Sequence, residues 1–127
     1  MGTSSLANSE LAVMELLWDK ERMTARDLRE ALYPNSTKTQ HGTVQRLLQR
    51  LEDKGFVERD RSLPVHLFAA RIGREEYAGS QLEALTEKLT GGSLAPLLTQ
   101  LIEDRKISAQ EIRRLRQILD DAKGGRS

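Results

Sequence analysis

A stripe of four apolar residues near the middle of the chain constrains the fold more than any other feature. The four recur at the spacing of one helix face and are Val44, Leu47, Leu48 and Leu51. This spacing predicts a helix that buries one side against the body of a domain. Lys54-Gly55 follows the stripe, and glycine is the usual residue just beyond a helix C-terminus, so we expect Gly55 to cap this helix.

Two shorter helices are predicted ahead of this one. Apolar residues at helical spacing indicate a first helix over 9–20, with Asn8 or Ser9 as its cap. Thr24 and Asp27 resemble a capping box, which places a second helix over 25–32. The turn then covers 35–38, and we expect Thr39 to be the N-cap of the third helix.

Two short extended runs follow Gly55. Alternating apolar residues predict strands over 56–61 and 65–70, and Ser62, Leu63 and Pro64 form the turn between them. Three helices and a hairpin are the layout of a winged helix-turn-helix DNA reader. The expected fold is therefore mainly α with a small β-hairpin wing, and the winged helix occupies 6–72.

Residues 73–123 are predicted to be helical throughout. A fourth helix ends at Gly91-Gly92, Ser93 caps a fifth, and Ser108 with Glu111 forms a capping box for a sixth. Leucines dominate the apolar faces of these three helices, which makes them a poor core for a solitary unit.

We therefore expect this segment to be a three-helix dimerisation domain. The alternative is that its apolar faces pack onto the N-terminal module of the same chain. The expected dimerisation residues are Leu82, Leu85, Leu89, Leu94, Leu97, Leu98, Leu101, Ile102, Ile112, Leu115 and Leu119. A dimer places two reading helices on a palindrome, with half-sites about one or more turns of DNA apart.

The charge distribution along the chain favours a nucleic-acid partner, although the net charge is only +1. No acidic residue lies between Glu30 and Glu52, or between Asp60 and Glu75. These windows coincide with the third helix and the wing, although a solvated basic face is the alternative interpretation. The expected DNA contacts are Lys38, His41, Gly42, Thr43, Gln45, Arg46, Gln49, Arg50 and Arg61. Arg50 has a second interpretation, as an ion-pair partner of Glu52 or Asp53.

Composition argues against most other functions. The chain has no cysteine, which excludes disulfides and thiolate chemistry, and its two histidines are too far apart to indicate a metal site. It has no phosphate-binding glycine loop, so we expect neither an enzyme nor a cofactor. No signal-like or membrane-spanning apolar run is present, and we expect a cytoplasmic protein.

Three stretches in this order resemble the BlaI/MecI/CopY-type penicillinase repressor family of bacterial transcriptional regulators. They are ELAVMELLW at 10–18, TVQRLLQRLEDKGFV at 43–57 and ISAQEIRRLRQIL at 107–119. The resemblance implies a homodimeric repressor that binds a palindromic operator, with Thr43, Gln45 and Arg46 on the recognition helix and Arg61 near the wing. It also implies a role in regulating antibiotic resistance.

The resemblance further implies that a membrane sensor-coupled metalloprotease cleaves the chain in its fifth helix. Members that respond to β-lactams carry Asn-Phe at the cleaved bond, and this chain has Gln100-Leu101 there. Copper-responsive members carry a C-terminal cysteine cluster, which this chain lacks. The rival hypothesis is a winged helix that binds another protein and has no sequence-specific affinity for DNA.

Overall fold

The computed structural model describes residues 5–35 and 38–124, apart from the side chains of residues 38, 39 and 124. In chain order the elements are α1 (Asn8–Lys20), α2 (Ala25–Leu32), α3 (Lys38–Asp53), β1 (Val57–Asp60), β2 (Leu67–Ala70), α4 (Arg74–Thr90), α5 (Ala95–Glu103) and α6 (Ala109–Gly124). The predicted fold class is confirmed: a winged helix-turn-helix precedes a helical C-terminal region.

The start of α1 differs from the prediction. Neither Asn8 nor Ser9 is the cap, because α1 begins at Asn8 and Ala7 occupies the N-cap position. Alanine has no side-chain acceptor. The carboxylate of Glu10 supplies only the reciprocal half of a capping box, because its Oε1 accepts the backbone N–H of Ala7 itself at 2.9 Å. The other half, a cap side chain that accepts from the first turn of α1, is not formed at Ala7.

The limits of α2 match the prediction. Thr24 Oγ1 accepts the backbone N–H of Asp27 at 3.0 Å, and Asp27 Oδ2 accepts the N–H of Thr24 at 3.2 Å. This reciprocal pair satisfies two backbone donors at the helix N-terminus.

The boundaries of α3 are close to those predicted. The helix begins at Lys38, so Thr39 lies inside it and is not its N-cap. At the other end Gly55 adopts φ +84°, which favours glycine, and the next backbone N–H, that of Phe56, donates to the Leu51 carbonyl at 2.8 Å.

The wing is shorter than predicted. Strands β1 and β2 are antiparallel, with Val57 opposite Ala70 and Asp60 opposite Leu67. The pairing ends at Asp60 because its Oδ1 accepts both the backbone N–H and the hydroxyl of Ser62, which turns the chain. Phe68 also bonds the backbone of Met23 in an isolated bridge, so the segment between α1 and α2 lies along the free edge of β2.

The chain divides into two compact units between Leu82 and Glu83, inside α4. The first turns of α4 belong to the N-terminal unit because Tyr77 packs there. Its ring lies 5.7 Å from that of Phe56 and its hydroxyl accepts the Leu6 N–H at 2.8 Å. The functional division between residues 72 and 73 stays a prediction.

The buried apolar residues all lie in the N-terminal unit, as far as the described residues go. They are Val13, Met14, Leu17, Met23, Leu28, Val44, Leu47, Leu48, Leu51, Phe56, Val57 and Phe68. They come from all three N-terminal helices and from the hairpin, so this core fixes the position of α3 relative to the wing.

The C-terminal unit has a different character. Gly91 and Gly92 have φ +66° and +104° and end α4, as predicted. Ser93 does not cap α5: the N-cap position is Leu94, and the Ser93 carbonyl instead accepts the hydroxyl of Thr90. Ser108 Oγ accepts the Glu111 N–H at 3.1 Å, as expected for the cap of α6.

Candidate nucleic-acid interface

The two sides of α3 differ sharply in exposure. The predicted apolar stripe is buried, and each of its four side chains is no more than 2% exposed. The opposite side reaches solvent: His41, Arg46, Gln49 and Arg50 are exposed, while Gly42, Thr43 and Gln45 are half-buried. Of the expected DNA contacts on α3, only the side chain of Lys38 lies outside the described residues.

Arg46 lies at the centre of this polar face. Its nearest guanidinium nitrogen is 3.9 Å from the position that a Cβ on Gly42 would take, so the side chain folds back along the helix toward the N-terminal turn. It makes no hydrogen bond or ion pair with the side chains that the structure describes. Its donors therefore remain available to an incoming acceptor.

The next turn of α3 is partly occupied by its own bonds. Gln49 Nε2 donates to Asp53 Oδ1 at 2.9 Å, and the amide oxygen of Gln49 takes no part in this bond. Arg50 pairs with neither of the carboxylates that the sequence offered as partners, because Asp53 bonds Gln49 and Glu52 bonds residues of the wing. Arg50 is thus an exposed cation on the flank of the face.

His41 makes a contact that the sequence did not reveal. Arg29 Nη1, on α2, lies 3.4 Å from His41 Nδ1. Arg29 is half-buried between α2 and α3, and no pattern within α2 distinguishes it from the other polar residues of that helix. Arg29 reaches His41 only because α2 and α3 cross, and it adds a cation, besides Arg46, next to the N-terminal half of α3.

The wing contributes a three-residue charge cluster, which was also missed. Glu52, in the last turn of α3, lies 3.1 Å from Arg61 Nη2 and 3.2 Å from Arg59 Nη2. The Arg59 guanidinium also lies 4.7 Å from the ring centre of Phe68. Arg61, which was expected to reach DNA, is therefore paired with α3 in the free protein.

A groove of about 320 Å³ separates α2 and α3 from the wing. His41 and Gln45 line its α3 side, and Pro64, Val65 and His66 line its wing side. The wing tip itself is apolar, because Leu63 and Val65 are more than half exposed. The groove opens beside the polar face of α3, so a ligand on that face can also contact the wing.

A buried ion pair fixes the far end of α3. Glu10 on α1 is only 2% exposed, and Lys54 Nζ donates to its two carboxylate oxygens at 3.0 and 2.9 Å. Burial raises the pKa of Glu10, but the Ala7 N–H and the Lys54 ammonium outweigh it and hold the pKa below its ordinary value. The carboxylate therefore stays charged at neutral pH and ties α1 to the end of α3.

Two kinds of feature are absent from the part of the chain that the structure describes. No group of three or more histidine, cysteine or acidic side chains there is placed to hold a metal ion. None of the described helices is long and apolar enough to cross a membrane.

Comparison with known proteins gives one consistent result. The family model described as penicillinase repressor matches residues 6–121. This match runs through the winged helix and all three C-terminal helices.

Individual relatives agree with the family match. The transcriptional regulator BlaI of Mycobacterium tuberculosis is 34% identical, over 94% of this chain and 86% of its own length. The penicillinase repressor of Bacillus licheniformis is 25% identical, over 93% and 91%. The methicillin resistance regulatory protein MecI of Staphylococcus aureus is 23% identical, over 93% and 95%.

Proposed function

Because the chain belongs to the penicillinase repressor family of transcriptional regulators, we propose that it is a repressor that binds a palindromic operator as a homodimer. The mechanism is steric: the bound dimer occupies the promoter and no chemical step is needed. The observation that carries this proposal is the exposed polar face of α3, which presents Arg46 without a partner among the described side chains.

The face has the chemistry that a major groove requires. The exposed guanidinium of Arg46 can donate two hydrogen bonds to guanine O6 and N7, and the half-buried Gln45 can pair with adenine. Thr43, in the second turn of α3, carries a hydroxyl that can bond a phosphate, and the backbone N–H groups and helix dipole that favour an anion lie one turn earlier. Arg50, which is exposed on α3, and Arg61, which follows β1, supply further positive charge.

The helical unit after Leu82 supports the dimer. No apolar side chain is buried among the described residues from 83 to 123, and Leu89 and Leu119 are 60% and 65% exposed. Seven of the expected dimerisation residues are more than a third exposed, and the other four are half-buried. The exposed ones are Leu82, Leu85, Leu89, Leu94, Leu101, Ile102 and Leu119, and the half-buried ones are Leu97, Leu98, Ile112 and Leu115.

 Ile118, which was not among the expected dimerisation residues, shares the apolar side of α6 and is 51% exposed. A second copy of the chain would cover these side chains, which a soluble monomer rarely leaves exposed together.

Dimerisation also belongs to the recognition mechanism. One α3 helix reads only a few base pairs, whereas two helices related by a two-fold axis read both halves of a palindrome. The rival hypothesis, a winged helix that binds another protein, requires no palindrome and gives no preference between operator and random DNA.

We further propose that the operator controls a resistance gene and that cleavage at Gln100-Leu101 relieves repression. The names of two relatives, penicillinase repressor and methicillin resistance regulatory protein, support the first point. The bond lies inside α5, where Leu101 is 42% exposed and Gln100 bonds Asp104. A protease needs an extended segment, so a turn of α5 has to unfold first, and the sparse burial there keeps the free-energy cost of unfolding low.

Genomic footprinting of the chain, followed by affinity measurements, tests this function. We expect one or more palindromes to be protected, and we expect the chain to bind a protected palindrome at least about a thousandfold more tightly than a scrambled duplex. Equal affinity for the two duplexes would favour the protein-interaction module instead. Sedimentation at micromolar concentration checks the dimer.

Cleavage has its own test. Mass spectrometry of the chain from β-lactam-treated cells is expected to show an N-terminal fragment that ends at Gln100. An intact chain in cells whose target gene is induced would contradict cleavage and leave the DNA-binding proposal in place.

A further inference from the structure

The charge cluster of Glu52, Arg59 and Arg61 contains a cation, Arg61, that is already paired in the absence of DNA. Arg61 is 57% exposed, yet its Nη2 lies 3.1 Å from Glu52 Oε2, and this contact is a hydrogen bond as well as an ion pair. A carboxylate is an anion with two acceptor oxygens, and so is a DNA phosphate. Glu52 therefore offers Arg61 the same chemistry as the ligand that Arg61 is proposed to bind.

The position of Glu52 indicates that pairing, and not helix stability, is its role. It lies in the last turn of α3, where the helix dipole disfavours a negative charge. Its side chain is 21% exposed and faces two arginines of the wing. Arg59 lies on β1 and Arg61 directly follows it, and both side chains lie on the side of the wing that faces Glu52, since both reach its carboxylate.

The two arginines are held unequally. Arg59 is only 14% exposed and is stacked on Phe68, which lies directly opposite it across the hairpin. Arg61 follows the end of β1, carries no aromatic contact within the described residues and is largely solvated. An ion pair between exposed groups contributes little, so a competing anion can remove Arg61 while Arg59 stays in place.

We propose that Glu52 is a positioning residue: it is the counter-ion of Arg61 in the free protein and exchanges Arg61 for a backbone phosphate when the wing meets duplex DNA. The inference rests on the proposed DNA-binding function. The exchange has a cost on every duplex, whatever its sequence, because the Glu52 pair has to break first. Glu52 thus lowers the affinity of the chain for DNA in general and disfavours occupation of random sites.

A double-mutant cycle with Glu52→Gln and Arg61→Gln tests the exchange. Affinities of the wild type, both single variants and the double variant are measured on the footprinted operator and on a scrambled duplex over a salt series. We expect Glu52→Gln to bind both duplexes about two- to fivefold more tightly per subunit, with an unchanged salt slope. Arg61→Gln should weaken binding to both and reduce the slope by about 0.9 per subunit, and the double variant should behave like Arg61→Gln.

Glu58→Gln is the matched control. Glu58 is an exposed carboxylate on β1 that makes no ion pair with the described side chains, so this variant removes the same charge from the wing without releasing Arg61. We expect a smaller gain in affinity than for Glu52→Gln. An equal gain would show that general repulsion of DNA is responsible, and would overturn the exchange.

Three further results would also overturn it. The first is a gain from Glu52→Gln that persists when Arg61 is glutamine, and the second is no gain. The third is a steeper salt slope for Glu52→Gln, because it would mean that Arg61 stays on Glu52 in the wild-type complex. If the wild type itself binds neither duplex, the proposed function fails, which is a different outcome.

Glu52→Gln leaves Arg59 without its anion, so the folding of the variant is checked by circular dichroism. A measurement on the wild type does not depend on the variant: the carbon-13 resonance of the Glu52 carboxylate is followed while DNA is added. We expect it to shift as Arg61 leaves. An unchanged resonance at saturating DNA would contradict the exchange.

Discussion

Replacement of Glu10 by alanine tests the connection that fixes α3 in the N-terminal unit. The carboxylate accepts three hydrogen bonds, one from the Ala7 N–H at 2.9 Å and two from Lys54 Nζ at 3.0 and 2.9 Å. Loss of a helix N-terminal acceptor costs about 1 kcal/mol. Loss of hydrogen bonds between charged groups costs about 1.5 to 3 kcal/mol.

Lys54 limits the total cost. Its side chain is 34% exposed, so its ammonium can turn into solvent and does not remain as a buried unpaired charge. We therefore expect Glu10→Ala to lower the free energy of unfolding by about 2 to 4 kcal/mol at pH 7. Urea unfolding followed by Trp18 fluorescence measures this, at one fixed protein concentration because a dimer makes stability depend on concentration.

Glu15→Ala on the same helix is the control. Glu15 pairs with Arg74 at 2.6 Å, but both side chains are about half exposed, so we expect a loss of less than about 1 kcal/mol. If Glu10→Ala cost no more than Glu15→Ala, the reasoning from burial would be refuted.

The dependence on pH gives a second readout of the same pair. The pKa of Glu10 in the folded chain lies below its ordinary value of 4.5, so its contribution is complete above that value and disappears as the pH falls through the folded pKa. We expect the difference in unfolding free energy between the wild type and Glu10→Ala to shrink below about pH 4.5. A difference that stays constant to pH 3 would contradict this assignment.

Three further predictions concern the dimer, the end of α3 and the hydrogen bond between Trp18 and Ile72. Leu119→Asp places a charge on a side chain that is 65% exposed in the single chain, and sedimentation should show a monomer with weakened operator binding; an intact dimer would exclude Leu119 from the interface. Gly55→Ala should lower the free energy of unfolding in urea by about 1 to 2 kcal/mol, because a φ of +84° strains any residue with a Cβ. The added Cβ meets no atom within 4 Å, so the cost comes from the backbone alone. No loss would show that the backbone relaxes. Trp18→Phe removes the 2.8 Å hydrogen bond from Trp18 Nε1 to the Ile72 carbonyl. It should lower the free energy of unfolding, measured by circular dichroism, by about 1 kcal/mol. An unchanged stability would mean that water replaces the bond.

The sequence predicted the features that depend on near neighbours. The start of α2 follows from Thr24 and Asp27, three positions apart, and the buried stripe of α3 follows from its spacing. Local signals were less reliable where several polar residues compete. Ala7 and Leu94 occupy N-cap positions although Asn8, Ser9 and Ser93 lie beside them, because bonds to Glu10 and Thr90 decide the backbone path there.

The contacts that shape the candidate interface join distant parts of the chain. Glu10 and Lys54 are 44 positions apart, and Arg29 and His41 are 12 apart on different helices. Nothing in the sequence of either partner reveals such a pair before the helices cross. Glu52 illustrates the same point, since the sequence offered Arg50 as its partner and the fold supplies Arg59 and Arg61 instead.

The specificity of an Arg46→Ala variant tests the central claim most directly, namely that the exposed face of α3 reads base edges. The ratio of affinities for the footprinted operator and a scrambled duplex is measured for the wild type and the variant at the same salt concentration. Loss of a bidentate contact to guanine should lower this ratio by a factor equivalent to about 1 to 3 kcal/mol of binding free energy for each half-site. The affinity for scrambled DNA should change little. An equal loss of affinity on both duplexes would contradict the claim and reduce Arg46 to a phosphate contact.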